Sequence, residues 1–305
     1  MKQKRRQNII GMVYDFDGTL SPHNLQEDTI FQAYRIDKRK FWEKTHELVV
    51  KRGYERTLSY LMLLIHDPIF QKKPLTRERL RDMASRLVFY PGVLDFFDRM
   101  NRFVRSLPEV KRFHIRLEHY LVSSGLKEIL EASTIARYFK KIYASEYDYD
   151  LIRPIFPKLV INDTNKTQFL FRINKGRLDL SQDINSHMPE EERRIPFSNM
   201  IYVGDGTTDI PSMTLTQKSG GHAIAVFPPG SRVPREVADM IREGRADHFA
   251  PADFREGKLL SKILELTLRK IVQNITYEAS SRMSLDWLET YRNDTRRVKR
   301  RKAYR

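Results

Sequence analysis

Apolar residues follow two styles along the chain. Short continuous runs stand at 9–14, at 120–122 within a segment starting near 113, at 199–203 and at 223–227. Runs of that length with almost no polar interruption suit strands buried on both faces. Weaker strand material spans 141–161, best at 140–144 and 159–161, and a last short segment stands at 246–249. Between these runs the spacing turns helical. Val93, Phe96, Phe97, Met100, Phe103 and Val104 form one stripe that begins after Pro91-Gly92 and ends before Pro108. Further helical spacing covers 126–138, 165–173 and 258–274, while the polar, acidic stretch 177–198 predicts a surface loop.

Five strand-then-helix units with polar residues at the strand ends predict an open parallel α/β sheet of Rossmann-like form. Its site should lie in the crevice at the carboxyl ends of the strands. One stretch breaks the alternation. Residues 22–90 carry helical spacing throughout, with segments over 25–51 and 54–66 and a third that Thr76 opens in a near-capping pattern. No strand signal interrupts them, so they read as one helical insertion after the first strand.

Composition adds limits. With 305 residues and 40% hydrophobic content the chain can bury a sizeable core. It holds no Cys, which excludes disulfides and thiolate metal sites and leaves carboxylates and His as strong ligands. No stretch approaches the roughly 20 apolar residues of a membrane helix. The N-terminal run is short and leads into Asp-Phe-Asp without a small-residue cleavage site, so a cytoplasmic location with no membrane partner is expected. The formal charge is +16, and much of it sits at the ends: Lys2, Lys4, Arg5 and Arg6 open the chain, and seven cations from Arg296 to Arg305 close it without an acid. Such tails suit nucleic acid or anionic lipid. A frayed, solvated terminus is the preferred expectation.

The chemistry gathers where apolar runs stop. The first run ends in Asp15-Phe16-Asp17-Gly18-Thr19. Residues two apart on a strand share a face, so one edge can aim both carboxylates into one space, and the pair calls for a cation, a shared proton or a phosphoryl group. Gly18 permits a sharp exit and Thr19 supplies a hydroxyl. The second run leads into Ser123-Ser124-Gly125 and a helix, the arrangement of a phosphate site at a helix N-terminus. Lys166 stands in the first turn of its helix, where a cation opposes the helix dipole and so suggests a function. The fourth run enters Gly204-Asp205-Gly206-Thr207-Thr208-Asp209, whose crowded carboxylates suit Mg²⁺.

With these pieces in order, the sequence resembles the haloacid dehalogenase superfamily, on its phosphatase side. Asp15 to Thr19 match the first family motif, Ser123 the second, Lys166 the third, and Gly204 to Asp209 the fourth. Ser124 rivals Ser123, and Lys175 rivals Lys166. The resemblance implies an α/β core over 1–21 and 91–275, a helical cap over 22–90 in the style of phosphoserine phosphatases, and a basic extension over 276–305. It implies Asp15 as nucleophile and Asp17 as general acid and base. Thr19, Ser123 or Ser124, Gly125 and Lys166 would hold phosphate. Mg²⁺ would be bound by Asp15, Asp17 through its carbonyl, Asp205 and Asp209.

The substrate expected is a small phosphorylated metabolite, hydrolysed through an aspartyl-phosphate. In phosphoserine phosphatases an acid early in the cap recognises the substrate amine; here that place falls on Asn24, with Glu27 and Asp28 nearby. A phosphotransferase or phosphomutase, a nucleic-acid end phosphatase and a non-catalytic binding protein are the rival readings. Neither the oligomeric state nor the role of Trp287 and Tyr291 follows from the sequence.

Overall fold

The computed structural model describes residues 7–206 and 208–303; for residue 286 and residues 289–303 it describes the backbone alone. Seven strands form one sheet: β1 (Ile9–Tyr14), β2 (Arg116–Leu126), β3 (Phe139–Tyr149), β4 (Pro154–Leu159), β5 (Met200–Gly204), β6 (His222–Phe227) and β7 (His248–Pro251). Their order is β4-β3-β2-β1-β5-β6-β7, parallel except for the antiparallel edge pair β3–β4. β1 is central. The chain steps to one side of it through β2 and to the other through β5, which opens a crevice at the carboxyl end of β1.

Before β2 come the helices α1 (Gln32–Tyr34), α2 (Lys38–Arg52), α3 (Arg56–His66), α4 (Pro68–Lys72), α5 (Arg77–Asp82), α6 (Val93–Ser106) and α7 (Pro108–Phe113). After it come α8 (Lys127–Glu131), α9 (Lys166–Lys175), α10 (Ile210–Lys218), α11 (Arg235–Arg242) and α12 (Leu259–Ala303). Alternate residues of β1 feed two cores. Ile10, Met12 and Tyr14 join Phe96, Phe97, Leu264 and Leu268 on one face, while Ile9 and Val13 join Phe169, Leu170, Met213 and Val237 on the other. Burial on both faces is why the central runs lack polar residues.

Residues 27–86 are helical with no strand among them, and their starts are capped as the sequence suggests. Thr76 Oγ1, for example, accepts from the Arg79 amide at 3.2 Å. The insertion is tied at its neck, where the Tyr90 amide donates to the Leu20 carbonyl at 2.9 Å.

Four expectations need correction. The region 141–161 is a hairpin, closed by Asp150, whose Oδ1 accepts from the amides of Ile152 and Arg153, each at 2.8 Å. The sheet therefore has seven strands where five units were expected. Ser123, Ser124 and Gly125 lie within β2 and not in a turn; the β2–β3 register shifts between Val122 and Leu126, a bulge that turns these residues out of regular pairing. The helix expected over 126–138 is the short α8, followed after a break by a single 3₁₀ turn at Ala136–Tyr138. The last helix does not end near 274; its backbone continues as α12 to Ala303. Residues 1–6, with the N-terminal cations, and Thr207 of the fourth motif lie outside the described residues.

Candidate active site

The end of β1 builds the site. The Asp15 amide donates to the Val203 carbonyl at 3.0 Å, which extends β1–β5 pairing by one residue and fixes the Asp15 backbone. The chain then turns back on the Phe16 carbonyl, which accepts from the amides of Thr19, Leu20 and Ser21. Gly18 allows this with φ of +72°, and a Cβ there would stand 2.0 Å from Asp205 Oδ2. Asp17 leaves the turn toward the insertion, and its Oδ1 accepts from the Leu25 amide at 2.7 Å. Thr19 is fully buried, and its Oγ1 has no hydrogen-bond partner among the described residues.

β5 and α10 supply the other wall. Asp205 follows β5, and Asp209 stands at the N-terminus of α10. A Cβ on Gly204 would lie 2.2 Å from Asp209 Oδ2, so that glycine is what lets Asp209 fold back beneath the strand end. Carboxylate oxygens of Asp15, Asp205 and Asp209 lie within 4.8 Å of one another. Asp209 Oδ2 accepts from the Asp205 amide at 3.1 Å, and its Oδ1 from the Tyr202 hydroxyl at 2.7 Å. The Asp17 carboxylate is not among the three, so any metal role for Asp17 falls to its main-chain carbonyl.

Lys166, first residue of α9, is buried and bridges the acids: its Nζ lies 2.9 Å from Asp15 Oδ1 and 2.8 Å from Asp209 Oδ1. Lys175 is placed elsewhere. Its Nζ donates to the carbonyls of Ile184 at 2.5 Å and Ser186 at 3.0 Å, pinning the loop after α9. Ser123 is fully buried in β2, and its Oγ accepts from the Gly125 amide at 3.0 Å; the Ser124 carbonyl accepts from the Tyr60 hydroxyl of the insertion. Asn24 is exposed and donates to Glu27 Oε1 at 3.1 Å. Tyr60 and Tyr90, whose buried hydroxyl lacks a partner among the described residues, belong to the site's surroundings. No motif spacing marks either tyrosine.

The electrostatics follow from burial and crowding. Burial first, then the neighbouring Asp209, push Asp15 up to about 7, although Lys166 pulls the other way. Burial and the charge of Asp15 push Asp17 up to about 8. Asp205 is also held well above its ordinary range by burial and by Asp209 and Asp15. Burial opposes the charge of Lys166, but Asp15 and Asp209 outweigh it and hold the ammonium above its ordinary value. Three hard oxygen donors that repel one another, beside an orphaned buried hydroxyl, fit a small divalent cation such as Mg²⁺.

No family model matches the chain. An uncharacterised protein of Borreliella burgdorferi is 28% identical over 285 residues, covering 85% of this chain and 97% of that one. A HAD-family hydrolase of Salmonella enterica serovar Typhi aligns with a TM-score of 0.50 and 18% identity over 79% of this chain. The match spans 66% of that protein, just under two thirds of its length. A phosphoserine phosphatase, solved as a phospho-aspartyl intermediate analogue, aligns with a TM-score of 0.50 and 16% identity, over 85% of this chain and 99% of that one. At these identities the likeness speaks for architecture. The chain shares the α/β fold of these HAD-family hydrolase and phosphoserine phosphatase structures.

Proposed function

We propose that the chain is a phosphatase that hydrolyses a small phosphomonoester through an aspartyl-phosphate on Asp15. One observation carries the reading. Lys166 bridges Asp15 and Asp209 at 2.9 and 2.8 Å beside Asp205, so a cation and three carboxylates converge at one strand end. Asp15 Oδ attacks phosphorus while Lys166 and the amides and hydroxyls around Ser123 and Thr19 hold the transferring oxygens. Asp17, held up near 8, carries a proton at neutral pH and gives it to the leaving oxygen; the carboxylate so formed then takes a proton from the water that attacks the aspartyl-phosphate. Asp205, Asp15 and the Asp17 carbonyl would hold Mg²⁺, with Asp209 in support, and the ion would supply charge neutralisation for the crowded oxygens. Both Asp209 oxygens are already engaged, which makes it the strut that keeps Lys166 and Asp205 in place.

Residues 22–90 act as the cap that selects the leaving group. By spacing, Asn24, with Glu27 and Asp28 nearby, falls where phosphoserine phosphatases carry an amine-binding acid, which favours an alcohol other than serine. The test uses p-nitrophenyl phosphate and rapid-quench mass spectrometry. Asp17→Asn should accumulate phosphate on Asp15 because water is no longer activated, with turnover lower by about 10²–10⁴-fold. Full turnover after exhaustive chelation, or phosphate on a residue other than Asp15, would overturn the proposal.

A further inference from the structure

The helical insertion holds an open cavity of about 280 Å³ to which the candidate active site contributes no residue. Three cations line it: Lys73 at the end of α4, Arg79 on α5 and Arg86 in the 3₁₀ turn Met83–Arg86 that follows. Asp82 is the one acid of the lining, so two positive charges are in excess. Cations gathered in one cavity repel, and the arrangement calls for carboxylates or a bound anion between them. Carboxylates do not supply this: among the described residues Lys73, Arg79, Asp82 and Arg86 form no ion pair. The neighbouring exposed positions add Lys72, Arg77 and Arg81 against Glu78, so they do not neutralise the cavity either.

Two of the cations are held in place by uncharged partners. The Pro74 carbonyl accepts from Arg79 Nη1 at 2.7 Å, from the Tyr34 hydroxyl at 3.3 Å and from the Thr76 amide at 3.0 Å. This hub ties residues 73–79 to α1. Lys73 Nζ lies over the Tyr34 ring, 5.0 Å from its centre. Arg79 gives Nη1 to Pro74, and a guanidinium carries five N–H donors, so others remain for a ligand. The Arg86 guanidinium has no partner among the described residues.

We propose that this cavity binds a compact anion of two linked phosphates, either free or as the tail of a nucleotide. The excess of positive charge matches such a group, and Arg with Lys gives charge-assisted hydrogen bonds to its oxygens. The volume suits a small molecule, near the lower end of the roughly 300–1,000 Å³ of ligand sites. Its place in the fold gives it a task. Ala33 and Met83, the apolar part of the lining, belong to the first helix and the last turn of the insertion. The two ends pack together, and the Val88 amide donates to Asp28 Oδ2 at 3.4 Å. The Leu25 amide, which holds Asp17, lies in the same first segment. An anion in the cavity therefore clasps the two ends of the insertion beside the contact that fixes Asp17. Among the described residues the acids that could hold a metal stand at the strand ends, so the cavity binds the anion without cleaving it.

The experiment is isothermal titration calorimetry of the full chain, freed of metal on a chelating resin, with methylenediphosphonate, whose P–C–P link resists hydrolysis. A Kd of about 10–100 μM is expected at 50 mM NaCl, as for a few hydrogen bonds between charged groups, and weaker binding at 150 mM as salt screens the cations. Lys73→Gln with Arg86→Gln should weaken binding about 10-fold or more, and Arg86→Gln alone, at an exposed position, several-fold. Lys72→Gln with Arg81→Gln removes the same charge outside the lining and should change it less than about 2-fold. Hydrogen exchange with the analogue bound should slow at 31–36 and 83–88. ATP binding tighter than the analogue assigns the nucleotide source; equal or weaker binding assigns the free anion. Absence of analogue binding, AMP binding as tight as the analogue, equal losses in the two double variants, or protection confined to 15–21 and 204–210 would overturn the proposal. The readouts use neither metal nor turnover, so failure here leaves the phosphatase reading standing.

Discussion

Gly18→Ala isolates what one contact does for the site. Gly18 adopts φ of +72°, a conformation that costs an L residue about 1–2 kcal/mol. Its added Cβ would stand 2.0 Å from Asp205 Oδ2, while ordinary contact begins near 3.4 Å, so the carboxylate must retreat by about 1.4 Å. That retreat removes one corner of the Asp15, Asp205 and Asp209 group. The stability cost should stay close to the conformational term, since Asp205 moves away from like charges. Gly53→Ala is the matched control. It has φ of +69°, closes α2, and has nothing within 4 Å of its added Cβ. Both variants should lose about 1–2 kcal/mol in denaturant unfolding. Turnover should fall about 10²-fold in Gly18→Ala alone, the scale set by an ångström of misplacement at a reacting centre. The Mg²⁺ concentration needed for half-maximal thermal stabilisation should rise only in that variant. Equal activity loss in both, or full activity in Gly18→Ala, would refute the reasoning.

Two further outcomes concern the buried charges. Lys166→Met leaves Asp15 and Asp209 without their ammonium and should cost about 3–5 kcal/mol in denaturant unfolding, less at pH 5 than at pH 8, where more of Asp15 is ionised. The metal-free protein should lose stability as pH rises from 6.5 to 8. Asp15 and Asp17 keep protons to about 7 and 8 that the unfolded chain releases near 3.8, so the native state binds more protons over that span and the slope is negative. Burial pushes His119 down to about 3, which gives the opposite slope, but only below its unfolded value near 6.5. Each retained proton is worth up to about 1.4 kcal/mol per pH unit, and Asp17→Asn should flatten the fall in a series of unfolding curves.

What could be read from the sequence was set by burial on two faces. The runs at β1, β5 and β6 are apolar because both sides are covered, and the acids stand out against them as chemistry at strand ends. β3 and β4 were harder. They form an edge pair with exposed Lys140, Ile155 and Phe156, so no continuous run marks them, and the Asp150 turn lies among apolar neighbours that mask it. Ser123 to Gly125 read as a turn because Ser and Gly favour turns, yet the β2 bulge accommodates them inside the strand. The continuation of α12 was missed because its apolar stripe ends at Ile275, where packing ends. Nothing stops the helix: from Lys258 to Arg305 the sequence holds neither Gly nor Pro. Lys166 and Lys175 could not be ranked by pattern with certainty, since the carbonyls that occupy Lys175 come from a loop with no periodicity.

The distribution of charge differs between the two ends of β1. At the carboxyl end of β1, acids are packed more closely than their repulsion allows unless cations join them, and Lys166 supplies only one positive charge to three carboxylates. At the amino end Gln7 is held by the carbonyls of Glu190 and Arg193, which bracket the acidic run Glu190 to Glu192. The two ends stand roughly 20 Å apart, about twice the Debye length at physiological salt, so charges at the amino end are largely screened before they reach Asp15. The balance at Asp15 is therefore set locally, by Lys166 and by whatever further cation joins the three carboxylates.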